Sequence, residues 1–144
     1  MHAFLVPSIA PLIFYALWAI ALVLMVGADR VLQIVTGKAE ATAFTPGSPH
    51  GSDAYWRLNR AHLNTIENLP VFATIVLSAY VVGQGTATFN HLATVVVCAR
   101  IIQSVIHIFS GSATAIAFRF TAYGIQLICE IWMAALVLHA GGLF

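Results

Sequence analysis

Residues 6–28 read VPSIAPLIFYALWAIALVLMVGA, and no side chain from Val6 to Ala28 carries a charge. About 20 mainly apolar residues cross the hydrocarbon core of a bilayer as a helix, so this run is long enough to span. It can continue to about Val35. No Lys or Arg precedes it and no small-residue cleavage site follows it, which argues for a spanning helix rather than a secretory leader. The rest of the chain has the same character: of 144 residues, 60% are apolar and 8% charged, and the mean hydropathy is +0.92. A soluble domain carries about a quarter charged residues, and a small globule has the least favourable ratio of surface to volume for hiding apolar area. Lipid is therefore the solvent for most of this sequence. That excludes a soluble single-domain enzyme, a nucleic-acid binder, a disordered tail and a disulfide-stapled secreted module. The formal net charge of +1 points to no polyanionic partner. Cys98 and Cys129 lie far apart in apolar stretches and read as two buried thiols, with no redox or metal motif.

Working outward, the stretch from Asn68 to Ala99 is also free of charge but too long for one crossing. Gly83-Gln84-Gly85-Thr86 breaks it into a tight helical hairpin. Four spans are expected, at about 6–35, 54–82, 88–108 and 117–138, with Ser110-Gly111-Ser112-Ala113 separating the last two. The fold class is an all-α membrane protein, a four-helix bundle in one domain covering 1–144. The connection 37–53, with Pro46, Gly47, Pro49 and Gly51, is the only sizeable water-exposed segment expected.

The basic residues set the expected orientation. There are six, Arg30, Lys38, Arg57, Arg60, Arg100 and Arg119. The first four flank or occupy the first connection, and Arg119 is expected to open the fourth helix. The hairpin and both ends have none, so the first and third connections should be cytoplasmic and both termini across the membrane.

Polar residues inside the apolar runs carry the information about function. An ionised group at mid-membrane costs on the order of 2.5–3.5 kcal/mol, so Glu67, Arg100 and Glu130 left unpaired would cost roughly 8–10 kcal/mol together. They need partners or a wet cavity. At 100° per residue, Arg57, Arg60, Asn64, Glu67 and Asn68 share one arc of the second helix. Arg100, Gln103, Ser104, His107 and Gly111 share a face of the third. Arg119, Tyr123, Gln126 and Glu130 form an i, i+4, i+7, i+11 stripe on the fourth. Three stripes weighted toward the cytoplasmic half predict a deep, basic, hydrogen-bonding pocket. Polar residues also serve as interhelical glue worth about 0.6 kcal/mol a pair, and Asn68, Ser104 and Gln126 fit that reading as well. Glu130 fits a structural hydrogen bond better than catalysis. His62 lies about 140° off the arc of the second helix, where contact with a neighbouring helix competes with ligand binding. His2, His50, His91 and His139 read as solvated, and no His/Glu spacing resembles a metal site.

Residues 57–72 read RLNRAHLNTIENLPVF. The skeleton Arg-x-x-Arg-Ala-His-x-Asn-x-x-Glu-x-x-Pro-x-Phe resembles the MAPEG family, the membrane-associated proteins of eicosanoid and glutathione metabolism. The chain looks like a bacterial-type member akin to the microsomal glutathione transferases. The resemblance implies a homotrimer of four-helix protomers that binds glutathione, as co-substrate, between subunits at the cytoplasmic side, without a metal. It assigns Arg57, Arg60, His62, Asn64, Glu67, Arg100, His107 and Tyr123 to glutathione binding and Arg119 to activation of its thiol. Two positions depart from the family pattern: Trp56 stands where a Glu is common, and His107 where many members have Tyr.

The chemistry suits those residue types. Arg57, Arg60 and Arg100 can bind the two carboxylates of glutathione bidentately, because a guanidinium stays charged. Glu67 suits the ammonium and Asn64 the peptide groups. The thiol's ordinary pKa is about 8.5, and a cation at Arg119 would favour the thiolate without a general base. A thiolate there can attack a lipophilic electrophile or a hydroperoxide partitioned into the adjacent lipid. The expected function is thus a membrane glutathione-dependent transferase or peroxidase. A non-catalytic scaffold or a small transporter is the alternative, although the outer half of the first three helices is bare of charge.

Overall fold

A computed structural model describes residues 9–44 and 51–143 of the chain. It contains α1 (Ala10–Val35), a 3-10 turn (Ala41–Ala43), α2 (Asp53–Val82), α3 (Ala87–Phe109) and α4 (Ala113–Ala140). All four α-helices are long and apolar enough to cross a membrane, which makes this an integral multi-pass membrane protein whose surroundings are a lipid bilayer. Each helix stops and starts where its local chemistry demands. Pro11 sits in the first turn of α1, where its missing N–H is no loss. Ser52, Thr86 and Ser112 cap α2, α3 and α4, their hydroxyls accepting from the backbone N–H of Tyr55, Phe89 and Ala115. Gly83 ends α2 at φ 70°, a left-handed conformation that favours glycine, and the chain turns directly into α3.

Short connections make neighbouring helices antiparallel. α3 packs most extensively on α4, α1 packs on α2 and α3, and α2 touches all three others. The apolar core lies at the Gly83 end: Leu12 and Tyr15 meet Phe72 and Val76, Phe89 and Val96, and Met133. The opposite end, where α2 and α4 begin and α3 finishes, holds the polar side chains. The outside is inverted relative to a soluble protein: Val81 is 84% exposed, Phe109 80% and Phe120 77%. In a bilayer these side chains face hydrocarbon.

The structure corrects several expectations. α4 begins at Ala113, not near Ala117, because Ser110, Gly111 and Ser112 already complete the turn and the Ser112 cap starts the helix. Arg119 therefore stands in the second turn of α4 instead of opening it. α1 begins at Ala10 after Ile9, and the part of the expected span before Ile9 lies outside the described residues. So do residues 45–50 of the long connection, whose described remainder includes the 3-10 turn. Cys129 is buried as expected, but Cys98 is exposed on the outer side of α3.

Candidate functional site

Arginines from α2 and α4 meet at the end of α3. Arg57 Nε donates to the Ile108 carbonyl at 3.1 Å and so ties the start of α2 to the last turn of α3. His107, one residue earlier, is buried, and Arg57, Arg60 and Arg119 all lie within Coulombic range of its ring. Arg60 and Arg119 also act on each other. Among the described residues, the charges reaching His107 and Arg119 are all cationic. Arg57 and Arg119 are half-buried and Arg60 is exposed. Arg119 Nε is enclosed and has no hydrogen-bond partner. A guanidinium does not shed its proton at physiological pH. Three such groups around one imidazole repel one another and create a positive potential with no internal relief. The arrangement favours an anion with several oxygens.

Deeper in the bundle a second polar group joins all four helices. Arg100 is only 1% exposed. Its Nη1 donates to Gln103 Oε1 at 2.6 Å, and its guanidinium lies 5.8 Å from the centre of the Tyr123 ring. Gln126 Nε2 donates to Glu130 Oε1 at 2.8 Å. Tyr15 of α1 donates to the Thr65 carbonyl at 3.3 Å, and the Thr65 and Ser104 hydroxyls are 3.4 Å apart. The stripes of α3 and α4 thus face inward.

The α2 stripe is different. The buried face of α2 runs through Ala61, Thr65, Phe72 and Val76, to one side of the arc that holds Arg60, Asn64, Glu67 and Asn68. Arg57 reaches α3, but Arg60 and Glu67 are exposed on the outside of the protomer, and Asn64 and Asn68 are half-buried beside them. His62 is half-buried on the other flank of the packed face, away from Arg60. The protomer therefore gathers Arg57, Arg60, His107 and Arg119, encloses Arg100 with Tyr123 beside it, and leaves Glu67 and His62 apart. Among the described residues, the three stripes do not turn toward one common pocket within a single chain.

Two features escape a reading of the sequence. Arg30 Nε donates to the Tyr55 hydroxyl at 2.6 Å, and its guanidinium lies over the rings of Phe44 and Tyr55, 5.4 and 5.8 Å from their centres. This clamps the end of α1 and the first connection onto the start of α2. Partners 25 residues apart leave no periodic signal. The second feature is a pair of apolar clefts on the outer side of α3. One, about 520 Å³, lies between α1 and α3 and includes Phe14, Trp18 and Val97. The other, about 350 Å³, lies between α3 and α4 and includes Ile106, Phe118 and Ala122, the immediate or near neighbours of His107 and Arg119. Among the described residues, no arginine and no other charged group lines the larger cleft.

No curated protein is similar enough to this one to count as a match. The model of the MAPEG family matches residues 8–139, nearly all of the 144-residue chain, and the protein belongs to that family.

Proposed function

We propose that the protein binds glutathione at the arginine cluster and uses its thiolate against a lipophilic partner, as a transferase or peroxidase. The MAPEG family includes glutathione transferases and peroxidases as well as members without enzymatic activity. One observation carries the enzymatic reading: Arg57, Arg60 and Arg119 converge from two helices on His107 with no carboxylate among the charges that reach it. Arg57 and Arg60 take the carboxylates of the tripeptide, and Arg119 stands at its sulfur. His107 and Tyr123 line the same end of the bundle, and Arg100 supports the site from behind through Gln103 and Tyr123.

The α2 face completes the site from a neighbouring subunit. A carboxylate such as Glu67, roughly 21 Å along α2 from its first residue, is costly against hydrocarbon, yet it is exposed in the protomer. A second copy covering Arg60, Asn64, Glu67 and Asn68 removes that cost and builds the ammonium and peptide contacts there. His62, on the far flank, then contacts ligand only across such an interface. A homotrimer with the arginine end cytoplasmic, and with both termini on the opposite side, meets these requirements.

In the reaction, the thiol loses its proton to solvent and the anion is held by Arg119. With an electrophile, the sulfur forms a bond to carbon and the leaving group departs with its electron pair. With a hydroperoxide, the sulfur takes the terminal oxygen, the O–O bond breaks, and the alkoxide takes up a proton to become an alcohol. A second glutathione reduces the sulfenic acid to the disulfide and water. The α3–α4 cleft beside His107 and Arg119 offers the lipophilic partner an approach from the bilayer.

Calorimetric titration of the detergent-solubilised protein tests this reading. Glutathione and its S-hexyl analogue should both bind, and the analogue more tightly because its alkyl chain reaches apolar surface. Absence of heat with both ligands would favour a non-catalytic scaffold.

A further inference from the structure

Three enclosed side chains at the centre of the protomer leave polar atoms without a partner. Arg100 is 1% exposed, Gln126 0% and Glu130 3%. Arg100 donates to Gln103 and Gln126 donates to Glu130, and the Tyr15 hydroxyl is a further side-chain partner of both Arg100 and Gln126. That leaves Arg100 Nε and Nη2 as donors, and Gln126 Oε1 and Glu130 Oε2 as acceptors, all enclosed and all unmatched. The guanidinium and the carboxyl act on each other at Coulombic range, and the Tyr15 hydroxyl, bonded to Arg100 and Gln126, lies within Coulombic range of Glu130.

Buried polar groups are satisfied in native proteins, because an unmatched one keeps its full desolvation cost. Neither a neighbouring subunit nor a tripeptide can reach these atoms, since the protomer itself encloses them. Water is small enough, and one buried water makes about three hydrogen bonds to groups of this kind. As both donor and acceptor, it matches two N–H groups on one side and two oxygens on the other.

We propose that the centre of the bundle is a sealed water-binding site, in which ordered water joins the Arg100 guanidinium to Glu130 and Gln126 and so locks α3 onto α4. Tyr15 borders the site from α1 and Tyr123 flanks the guanidinium. The site is internal to one protomer and stands whether or not glutathione binds.

X-ray hydroxyl-radical footprinting of the wild-type protein in detergent reads the water directly, because radicals form from it in place. Tyr15, although 0% exposed, should be oxidised several-fold faster than in the Arg100→Met/Glu130→Leu variant. Phe72, equally enclosed in the apolar core, should stay unlabelled in both. Equal Tyr15 labelling in the two proteins, or none in the wild type, overturns the proposal. Thermal unfolding of the same set gives a second readout. Arg100→Met and Glu130→Leu alone should each lower the midpoint by roughly 10 °C, and the double change should recover most of that, because an apolar pair replaces a buried ionic one at little cost. Additive losses in the double variant contradict the coupling, and the footprint decides the case where a single variant does not fold.

Discussion

Arg57 ties two helices together and contributes charge to a ligand site. Its Nε is spent on the Ile108 carbonyl, which leaves four of the five guanidinium N–H groups for a ligand. Lysine at this position keeps the charge but loses the planar fork that matches a carboxylate. Arg57→Lys should therefore weaken glutathione binding about tenfold, a loss of about 1.4 kcal/mol, as read by calorimetric titration. An unchanged affinity would place the carboxylate elsewhere. At this scale the sequence was informative about residue type and spacing. Arg57, Arg60, His107 and Arg119 could be singled out because polar side chains recur at helical spacing in apolar runs and the arginines match the family's pattern. Arg30 could not, since its meaning depends on Tyr55 and Phe44 approaching it from the far side of a long connection.

Among the elements, α4 shows best how a cap decides a boundary. Ser110-Gly111-Ser112-Ala113 has the composition of a loop, and the expected helix began after it. The Ser112 hydroxyl instead accepts the Ala115 N–H at 3.2 Å and starts the helix at Ala113. Ser112→Ala should destabilise the protein by about 1 kcal/mol, seen as a lower thermal midpoint, whereas Ser110→Ala should have the smaller effect. The reverse order would mean that the helix start rests on other contacts. Spacing tells which residues share a face of a helix, but not toward what that face looks. The stripes of α3 and α4 point into the protomer, where Arg100, Ser104, Gln126 and Glu130 are buried. The stripe of α2 has the same kind of spacing, yet Arg60 and Glu67 lie outside. Its direction follows from packing against α1 and α3, which periodicity alone does not encode.

For the molecule as a whole, four antiparallel spans place Gly83–Thr86 at one membrane face and Ser110–Ser112 at the other. The proposed orientation puts the second of these faces in the cytoplasm, because the basic residues cluster there. A cysteine introduced at Gln84 in a Cys98→Ser, Cys129→Ser background should react with an impermeant maleimide added outside intact cells. One introduced at Gly111 should react only after the membrane is opened. Opposite labelling would invert the topology. The exposed carboxylate on α2 makes a further demand on the assembly: native mass spectrometry should show three copies, and Glu67→Gln should lower glutathione affinity without changing that number.

In the proposed reaction, cations from separate helices stabilise the anion of a small thiol at the arginine end of the bundle. Ultraviolet difference spectroscopy on glutathione addition near neutral pH reads that anion directly. The wild-type protein should develop thiolate absorbance that is lost in Arg119→Ala and never appears with the S-hexyl analogue. A spectrum without thiolate in the wild type, or one that survives intact in Arg119→Ala, would rule out stabilisation of the thiolate by Arg119.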